Sequence, residues 1–494
     1  MAYCPAMTYR MLIGGKLVEV KNKATREIIN PSSGKRLALA PEASTEDTDL
    51  AVKAAKAAFE SGPWPETTAQ QRGRLLFRMA ELVRKNAKQL ARLETLNTGK
   101  PIVESEMDMV DTATCLEYYG GLATKISGQT LPVPDQAISM TLREPVGVCA
   151  LIVPWNYPLM LAAWKLGPAI AAGCTVILKP AEQTPLTTLE FGRLLTQLDI
   201  PPGVINIVSG LGETVGAALV NHSQVDKVAF TGGTDTGRAI LKGASASNLK
   251  KVSLELGGKS PNIFFADADL EAAVDGALFG LFINQGEVCS AGSRVLVQRS
   301  IHKKFMNLLL KKVKRIRLGD PLDRKTKMGP LVTDEHRDKV LSYIQLGIEE
   351  GARLVCGGGA PKGKTFQKGF YIEPTIFDEV KNSMRIAREE IFGPVVCIIP
   401  FRDEEEAIAI ANDTPYGLAG AVWSRDIYRA LRVTRRIRAG IMWINTMQPC
   451  YVEAPWGGYK QSGCGRELGP HAIDEYLETK QVHINLNEKP IGWY

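Results

Sequence analysis

Cys289 lies in Phe282-Ile-Asn-Gln-Gly-Glu-Val-Cys-Ser-Ala-Gly-Ser-Arg294, where small and polar neighbours leave room for a substrate carbon to approach the sulfur. A structural cysteine ordinarily sits among bulkier apolar residues. Thirty-four positions upstream (255 to 289), Glu255 stands between apolar residues in Leu254-Glu-Leu-Gly-Gly-Lys-Ser-Pro261 and opens a glycine turn. A sulfur nucleophile needs a base in its cycle, either to ionise the thiol or to activate the water that later removes an acyl group. Taken singly, Cys289 reads as one of nine ordinary cysteines and Glu255 as a solvated loop acid. Set in these two motifs, the pair points to covalent catalysis by a thiolate served by a carboxylate base.

The rest of the composition narrows the setting. Cys4, Cys115, Cys149, Cys174, Cys289, Cys356, Cys397, Cys450 and Cys464 are irregularly spaced and form no C-x-x-C. That pattern argues for reduced thiols in a cytoplasmic protein and against a disulfide framework or a structural zinc site. His222, His302, His336, His471 and His483 show no metal-binding spacing, so each reads as a surface or core residue and no metal is expected. The beginning, Met-Ala-Tyr-Cys-Pro5, lacks the charged-then-apolar pattern of a signal peptide. The most apolar region, residues 146–178, is interrupted by Pro154, Asn156, Pro158, Lys165 and Pro168. A bilayer span needs ~20 nearly unbroken apolar residues, so this region is expected in a buried core and no membrane span is expected. A net charge of +7 is mild for 494 residues. The basic runs at 311–317 and 432–438 alternate with apolar residues, as on the solvated faces of amphipathic helices, and no nucleic-acid recognition motif accompanies them.

The chemistry needs a scaffold, and the apolar pattern supplies one. Hydrophobic content of 45% and charged content of 23% suit a soluble globular chain long enough for two or three domains. Ser44 followed by Glu46 and Asp47 marks a helix start, with Leu50, Ala54 and Ala58 recurring at helical spacing up to Gly62. A second amphipathic helix is expected over 74–96. From Gly147 onward, short apolar runs alternate with helical periods: strands at 148–153, 174–178, 204–208 and 227–230, and helices at 159–172, 187–197 and from Glu213 to before Asn221. Such repeats predict an α/β sheet with helices on its faces. A second α/β region follows Gly258, with helices expected at 270–282, 301–316 and 333–350. Residues 125–142 and 481–494 are β-prone and fall outside both regions; an uncovered edge strand there invites pairing between subunits.

Two glycine-rich turns follow strand candidates, Ser209-Gly-Leu-Gly212-Glu-Thr-Val-Gly216 and Phe230-Thr231-Gly232-Gly233-Thr-Asp-Thr-Gly237. Neither fits G-x-G-x-x-G cleanly, but each would let backbone N–H groups approach a pyrophosphate at a helix start. Lys179-Pro-Ala-Glu182 ends a strand, where open α/β sheets bind ligands. The lysine and carboxylate there suit ribose hydroxyls, and Glu182 would repel a 2′-phosphate. NAD is therefore expected over NADP, and a strong preference for NADP⁺ in turnover would defeat that expectation.

The motifs Pro154-Trp-Asn-Tyr-Pro158, Lys179-Pro-Ala-Glu182, Phe230-Thr-Gly-Gly, Leu254-Glu-Leu-Gly-Gly-Lys, Gly286-Glu-Val-Cys289, Glu389-Glu-Ile-Phe-Gly-Pro394 and Pro455-Trp-Gly-Gly-Tyr-Lys-Gln-Ser-Gly-Cys-Gly-Arg-Glu467 occur in this order. Together they make the whole chain resemble the aldehyde dehydrogenase superfamily. The resemblance implies a Rossmann-like NAD-binding domain (1–124 and 146–256), an α/β catalytic domain (257–461) and a small β oligomerisation element (125–145 and 462–494), assembled as a homodimer or homotetramer. It implies Cys289 as nucleophile, Glu255 as general base, Asn156 with the backbone N–H of Cys289 as oxyanion donors, and Glu467 in a proton relay. Lys179 and Glu182 would hold the adenosine ribose, and Gly232 and Gly233 the pyrophosphate. Glu390 and Phe392 would hold the nicotinamide ribose, and Pro154, Trp155, Gly212, Phe230, Thr231, Leu256 and Gly257 would complete the cofactor site. Two positions depart from the family pattern. Glu287 stands where Gln is common and, ionised towards Cys289, would oppose the thiolate, so it is expected to point away or be neutralised. Gly233 stands where Ser is frequent.

Implied is oxidation of an aldehyde to its acid through a thiohemiacetal and thioester on Cys289, with a Glu255-activated water releasing the acid. A base in that place argues against the branch of the family that forms acyl-CoA. Tyr157, Trp164 and Trp456 are expected in the acyl tunnel, with Asp108 and Asp111 adding negative charge at its mouth. Aromatic faces attract quaternary ammonium, and the chain looks similar to betaine and amino-aldehyde dehydrogenases, down to Cys289-Ser-Ala-Gly-Ser-Arg294 and the ending Ile491-Gly-Trp-Tyr494. Ile283, where plant relatives carry Trp, removes one wall of the cage. A betaine or amino aldehyde is thus the preferred substrate, with broad use of apolar, aromatic or long conjugated aldehydes as the alternative. A cofactor-binding structural or stress protein without catalysis would be expected only if Cys289, Glu255 or Asn156 were replaced. Thiol esterase chemistry without cofactor is expected only as a side activity.

Overall fold

The computed structural model describes residues 8–493; the readings placed on the first five residues, including Cys4, and on Tyr494 lie outside the described residues. One sheet has eight strands in the order Lys16–Val18, Met11–Ile13, Ile205–Ile207, Thr175–Lys179, Val148–Ile152, Lys227–Thr231, Lys251–Glu255 and Gly463–Cys464. Its five central strands are parallel and its flanking pairs antiparallel. Parallel strands covered on both faces read as near-continuous apolar runs, and Val148–Ile152, Thr175–Lys179 and Lys227–Thr231 are buried along their whole lengths, with polar residues only at the strand ends. The register pairs Ile152 with Lys179 and Thr231 with Glu255. Lys179 and Glu255 thus stand with the glycine turn after Thr231 along one carboxyl-terminal edge, the edge where open α/β sheets bind ligands.

A second sheet has the order Arg353–Cys356, Thr375–Asp378, Val395–Phe401, Arg294–Gln298, Pro261–Phe264, Ala419–Trp423 and Ile441–Ile444. Glu255 ends a strand of the first sheet and Pro261 begins one of the second, so the Leu-Gly-Gly-Lys-Ser turn passes directly between them. Pro261 pairs with Arg294, which follows Cys289 by five residues. This one register brings together an acid and a thiol that are far apart in the chain.

The segments expected to lie outside both α/β regions do so, as a three-stranded antiparallel sheet of Thr130–Leu131, Ala137–Pro145 and Leu477–Asn485. Ile138, Leu142, Ile484 and Leu486 are exposed on or beside it.

Most expected helices form, with ends shifted by a few residues. Ser44 caps Thr45–Glu60 through a reciprocal capping box with Asp47, and Thr333 caps Asp334–Glu349. Leu270–Phe282 matches the expected span. The region after Glu213 is a wide helical turn, Gly212–Gly216, before the short helix Ala217–Asn221. Helix Ile102–Leu122 was not expected: its buried face includes Ser105, Asp108 and Thr112, and these polar residues mask the apolar period. No helix among the described residues is long and apolar enough to cross a membrane.

Candidate active site

The nucleophile is presented by a turn of unusual backbone. After helix Leu270–Phe282 the chain enters left-handed conformation at Asn284 (φ 45°), Gln285 (φ 57°) and Gly286 (φ 76°). Each such non-glycine residue costs about 1–3 kcal/mol and persists only where its surroundings fix it. Here the Asn284 backbone N–H donates to Glu104 Oε2 at 2.8 Å, and its side-chain amide donates to the carbonyls of Asn156 (3.2 Å) and Glu287 (3.3 Å). Gly329 N–H donates to Gln285 Oε1 at 3.1 Å. Gly286 is required because a β-carbon would lie 2.4 Å from the Gly393 carbonyl oxygen. Burial pushes the Cys289 thiol up, nearby Glu390 and Glu255 push the same way, and the backbone N–H groups of Ser290 and Cys289 oppose them. Together these influences favour the thiol over the thiolate in this setting.

Asn156 sits between strand Val148–Ile152 and helix Pro158–Ala172. Its Nδ2 donates to the Glu287 carbonyl at 2.8 Å, leaving the second N–H of that amide for another acceptor. Glu287 itself is buried: Val332 N–H donates to Oε1 at 3.0 Å and the Gln285 amide donates to Oε2 at 3.4 Å. Burial holds its carboxyl well above the usual carboxylate range. These bonds tie it to Val332 and Gln285 while burial favours its neutral form, in keeping with the expectation that it does not oppose the thiolate.

Glu255 is buried at its strand end, and its Oε2 has no hydrogen-bond partner among the described residues. Burial raises its carboxyl well above the ordinary range, Glu467 raises it further, and Lys165 and Arg466 oppose. Lys165 Nζ pairs with Glu467 Oε1 and donates to Thr231 Oγ1 at 2.6 Å. In the sequence Lys165 served only to break an apolar stretch. A lone cation in a helix otherwise buried all round was the available signal for a buried acidic partner.

The glycine pair of the Leu-Gly-Gly-Lys turn sits where side chains cannot fit. A β-carbon on Gly257 would lie 2.3 Å from Glu390 Oε2, and one on Gly258 would lie 2.3 Å from the Cys289 carbonyl oxygen. Gly258 N–H donates to Glu390 Oε1 at 2.9 Å, and burial pushes the Glu390 carboxyl up to about 7. Two residues on, Phe392 is left-handed (φ 62°), and its carbonyl lies 2.7 Å from His336 Nε2. Burial lowers His336 to about 4, so the ring is neutral and donates that bond. Its edge packs on Trp155, with centroids 5.1 Å apart. His336 corrects the reading of all five histidines as plain surface or core residues, because its ring lines the cavity beside the thiol loop.

That cavity, of about 970 Å³, joins the expected groups. Cys289, Glu255, Asn156 and Glu467 line it. So do Pro154, Trp155, Thr231, Gly232, Gly233, Leu256, Gly257, Glu390 and Phe392. Tyr157, Trp164, Ile283 and Trp456 form another part of its wall, with the Trp164 and Trp456 rings edge to face at 5.5 Å. Lys179, Glu182, Gly212 and Phe230 lie off this wall. Lys179 Nζ reaches Glu182 Oε2 at 3.4 Å, and the Lys179 side chain passes beside Gly216. Phe230 packs its ring under Gly232.

Asp108 requires a correction. It does line the cavity, but it is buried and ion-paired with Lys100 at 2.6 Å, so it adds no free negative charge at the mouth. Nothing local in the chain signals this, because Lys100 precedes the helix that carries Asp108. Asp111 also lines the cavity, and partial burial together with Asp108 pushes it up to about 6.

Comparison with known proteins agrees with this geometry. The family model for the aldehyde dehydrogenase family matches residues 18–482. A betaine aldehyde dehydrogenase of Bacillus subtilis (strain 168) is 48% identical over 490 residues, covering 99% of this chain and 100% of the relative. The mitochondrial aldehyde dehydrogenase of Homo sapiens is 46% identical over 484 residues, covering 97% of this chain and 92% of the relative. A crystal structure of betaine aldehyde dehydrogenase from Staphylococcus aureus in complex with NAD⁺ aligns with a TM-score of 0.97 at 46% identity, covering 99% of this chain and 97% of that one. With the motifs, the two-sheet fold and these matches in agreement, the chain belongs to the aldehyde dehydrogenase family.

Proposed function

We propose that this protein oxidises an aldehyde to its carboxylic acid with NAD⁺, using Cys289 as nucleophile and Glu255 as base. The observation that carries the reading is the convergence of Cys289, Glu255 and Asn156 on one cavity, which continues to Glu390, Phe392 and the Gly232-Gly233 turn.

The residues present fit the cofactor. Open space lies above Gly212 and Gly233, where an added β-carbon would meet nothing within 4 Å. Backbone N–H groups of such turns suit a pyrophosphate. Buried Glu390 offers acceptors for ribose hydroxyls, and the Lys179–Glu182 pair offers a donor and an acceptor for the second ribose. NAD⁺, when bound, accepts the hydride given up by the substrate carbon.

The protein's own part has three steps. Glu255 takes the Cys289 proton and passes it on through Glu467 as the sulfur bonds to the aldehyde carbon, and the free N–H of Asn156 with the Cys289 backbone N–H holds the oxyanion. After oxidation the acyl group is a thioester on Cys289. Glu255 takes a proton from one water, whose oxygen bonds to the acyl carbon as the carbon–sulfur bond breaks, releasing the acid. The Lys165–Glu467 pair beside Glu255 offers that proton a way out. Residues 1–124 and 146–256 would then form the cofactor domain, 257–461 the catalytic domain, and 125–145 with Leu477–Asn485 the oligomerisation element, while Gly463–Cys464, expected in that element, joins the edge of the cofactor sheet. The apolar residues exposed on the three-stranded sheet support a homodimer or homotetramer, which light scattering tests; a monomer would contradict it.

Betaine or amino aldehydes are the preferred substrates. The aromatic pair Trp164 and Trp456, the acid Asp111, and relatives named as betaine aldehyde dehydrogenases support this. The broader reading, apolar and aromatic aldehydes, draws on Ile283, Met160, Leu161 and Phe279, which make the same cavity largely apolar. Glu255→Gln tests the chemistry. It should give one burst of NADH per active site and then slow by roughly 10²–10⁴-fold, the usual worth of a general base. Steady turnover at the unmodified rate would refute the assigned role.

A further inference from the structure

Tyr157 does not offer the aldehyde cavity a free aromatic ring, because a cation of the protein's own already sits on it. Lys100 Nζ lies 3.8 Å from the ring centroid, at the centre of one face, and its side chain is wholly buried. The chain delivers it there through Gly99, whose φ of 87° ends helix Ala69–Thr98 and whose Cα leaves no room for a side chain against the Pro330 carbonyl. The ammonium donates to Asp108 Oδ2 at 2.6 Å and lies 4.0 Å from Glu94 Oε1. Glu104, tied to the Asn284 backbone, is a further acid close enough to feel its charge. Tyr157, Glu104 and Asp108 line the cavity; Lys100 and Glu94 stand behind that wall.

An aromatic face attracts a cation because its π cloud carries negative charge there. A ring already polarised by an ammonium on one face has less to give a second cation on the other, and the two like charges repel across it. Asp108 works in the opposite sense, since its carboxylate cancels the field of Lys100 and faces the cavity. We infer that the buried Lys100–Asp108 pair behind Tyr157 sets how strongly this cavity distinguishes a cationic aldehyde from an uncharged one of the same shape, with Lys100 opposing the cation and Asp108 favouring it. Lys100 is thus a specificity-determining residue that does not touch the substrate.

The inference rests on the reading of this cavity as an aldehyde site, and the experiment separates the two. Betaine aldehyde and its uncharged carbon isostere, 3,3-dimethylbutanal, differ only in nitrogen against carbon. The quantity to measure is the ratio of their kcat/KM values, which cancels any loss of folded enzyme. Lys100→Met should raise the ratio about threefold or more, and Asp108→Asn should lower it about threefold or more, in line with the worth of one cation–π contact. Either substitution breaks a buried pair and can cost stability, so Tyr157→Leu provides a third arm in which every charge stays in place. It should lower the ratio by less than about threefold, because the ring is already engaged; a larger drop would show a ring free for the substrate and overturn the inference. Parallel changes in both aldehydes, with the ratio constant in Lys100→Met and Asp108→Asn, would reduce the pair to a structural role. Failure of the unmodified protein to oxidise either aldehyde would instead defeat the functional reading itself.

Discussion

Gly258→Ala is the sharpest test of how the fold builds this site. The new β-carbon would lie 2.3 Å from the Cys289 carbonyl oxygen and 3.2 Å from Leu418 Cβ, whereas ordinary contact begins near 3.4 Å. The obstruction at Cys289 is backbone, which cannot rotate aside. The turn and the nucleophile loop must therefore separate by about 1 Å. Overpacking of this kind costs about 1–3 kcal/mol of stability. A displacement of about 1 Å at a reacting centre costs about 10²-fold in rate. We expect Gly258→Ala to fold, to bind NAD⁺ within about threefold of the unmodified protein by fluorescence titration, and to lose about 10²-fold in kcat with a small neutral aldehyde. Gly257→Ala is the matched comparison: its β-carbon meets the Glu390 carboxylate, also at 2.3 Å, so it should weaken NAD⁺ binding more than it slows chemistry. A Gly258→Ala enzyme with kcat within threefold of normal would refute the claim that this glycine exists to let the acid's turn touch the nucleophile.

Two further outcomes follow from the same geometry. Asn156→Ala removes the proposed oxyanion donor and leaves the Glu287 carbonyl without its 2.8 Å partner; kcat should fall by about 10²–10³-fold, and a loss below tenfold would count against that role. The rate of acyl release should rise with pH, because Glu255 acts as a base only when ionised and its carboxyl is held above the ordinary range by burial and Glu467. Lys165 opposes that shift, so Lys165→Met should move the midpoint of the rise to higher pH; stopped-flow measurement showing a midpoint moved to lower pH would contradict the assignment.

Much of this protein was legible in the chain because the signals were local. Apolar runs of strand length at 148–153, 174–178, 204–208 and 227–230 read as sheet, and Ser44 and Thr333 stand where caps are needed, since a helix start exposes N–H groups that a nearby side chain must satisfy. The thiol, the acid and the amide were marked by side chains unusual for their surroundings. What the sequence left open depended on contacts between distant segments. The Pro261–Arg294 register decides that residues 255 and 289 meet. Helix Ile102–Leu122 is hidden because Ser105, Asp108 and Thr112 interrupt its buried apolar face, and Ser105 and Asp108 find their partners, Thr95 and Lys100, outside the helix. His336 enters the cavity wall because Phe392 turns its carbonyl towards the ring, and Lys165 finds Glu467 on a segment three hundred residues away. Asp108 reads as free charge in the chain because its pairing with Lys100, eight positions earlier, depends on the Gly99 turn burying that ammonium. Side-chain type fixes what chemistry a residue can perform; burial and partnership, which set its charge, arise only when the chain closes on itself.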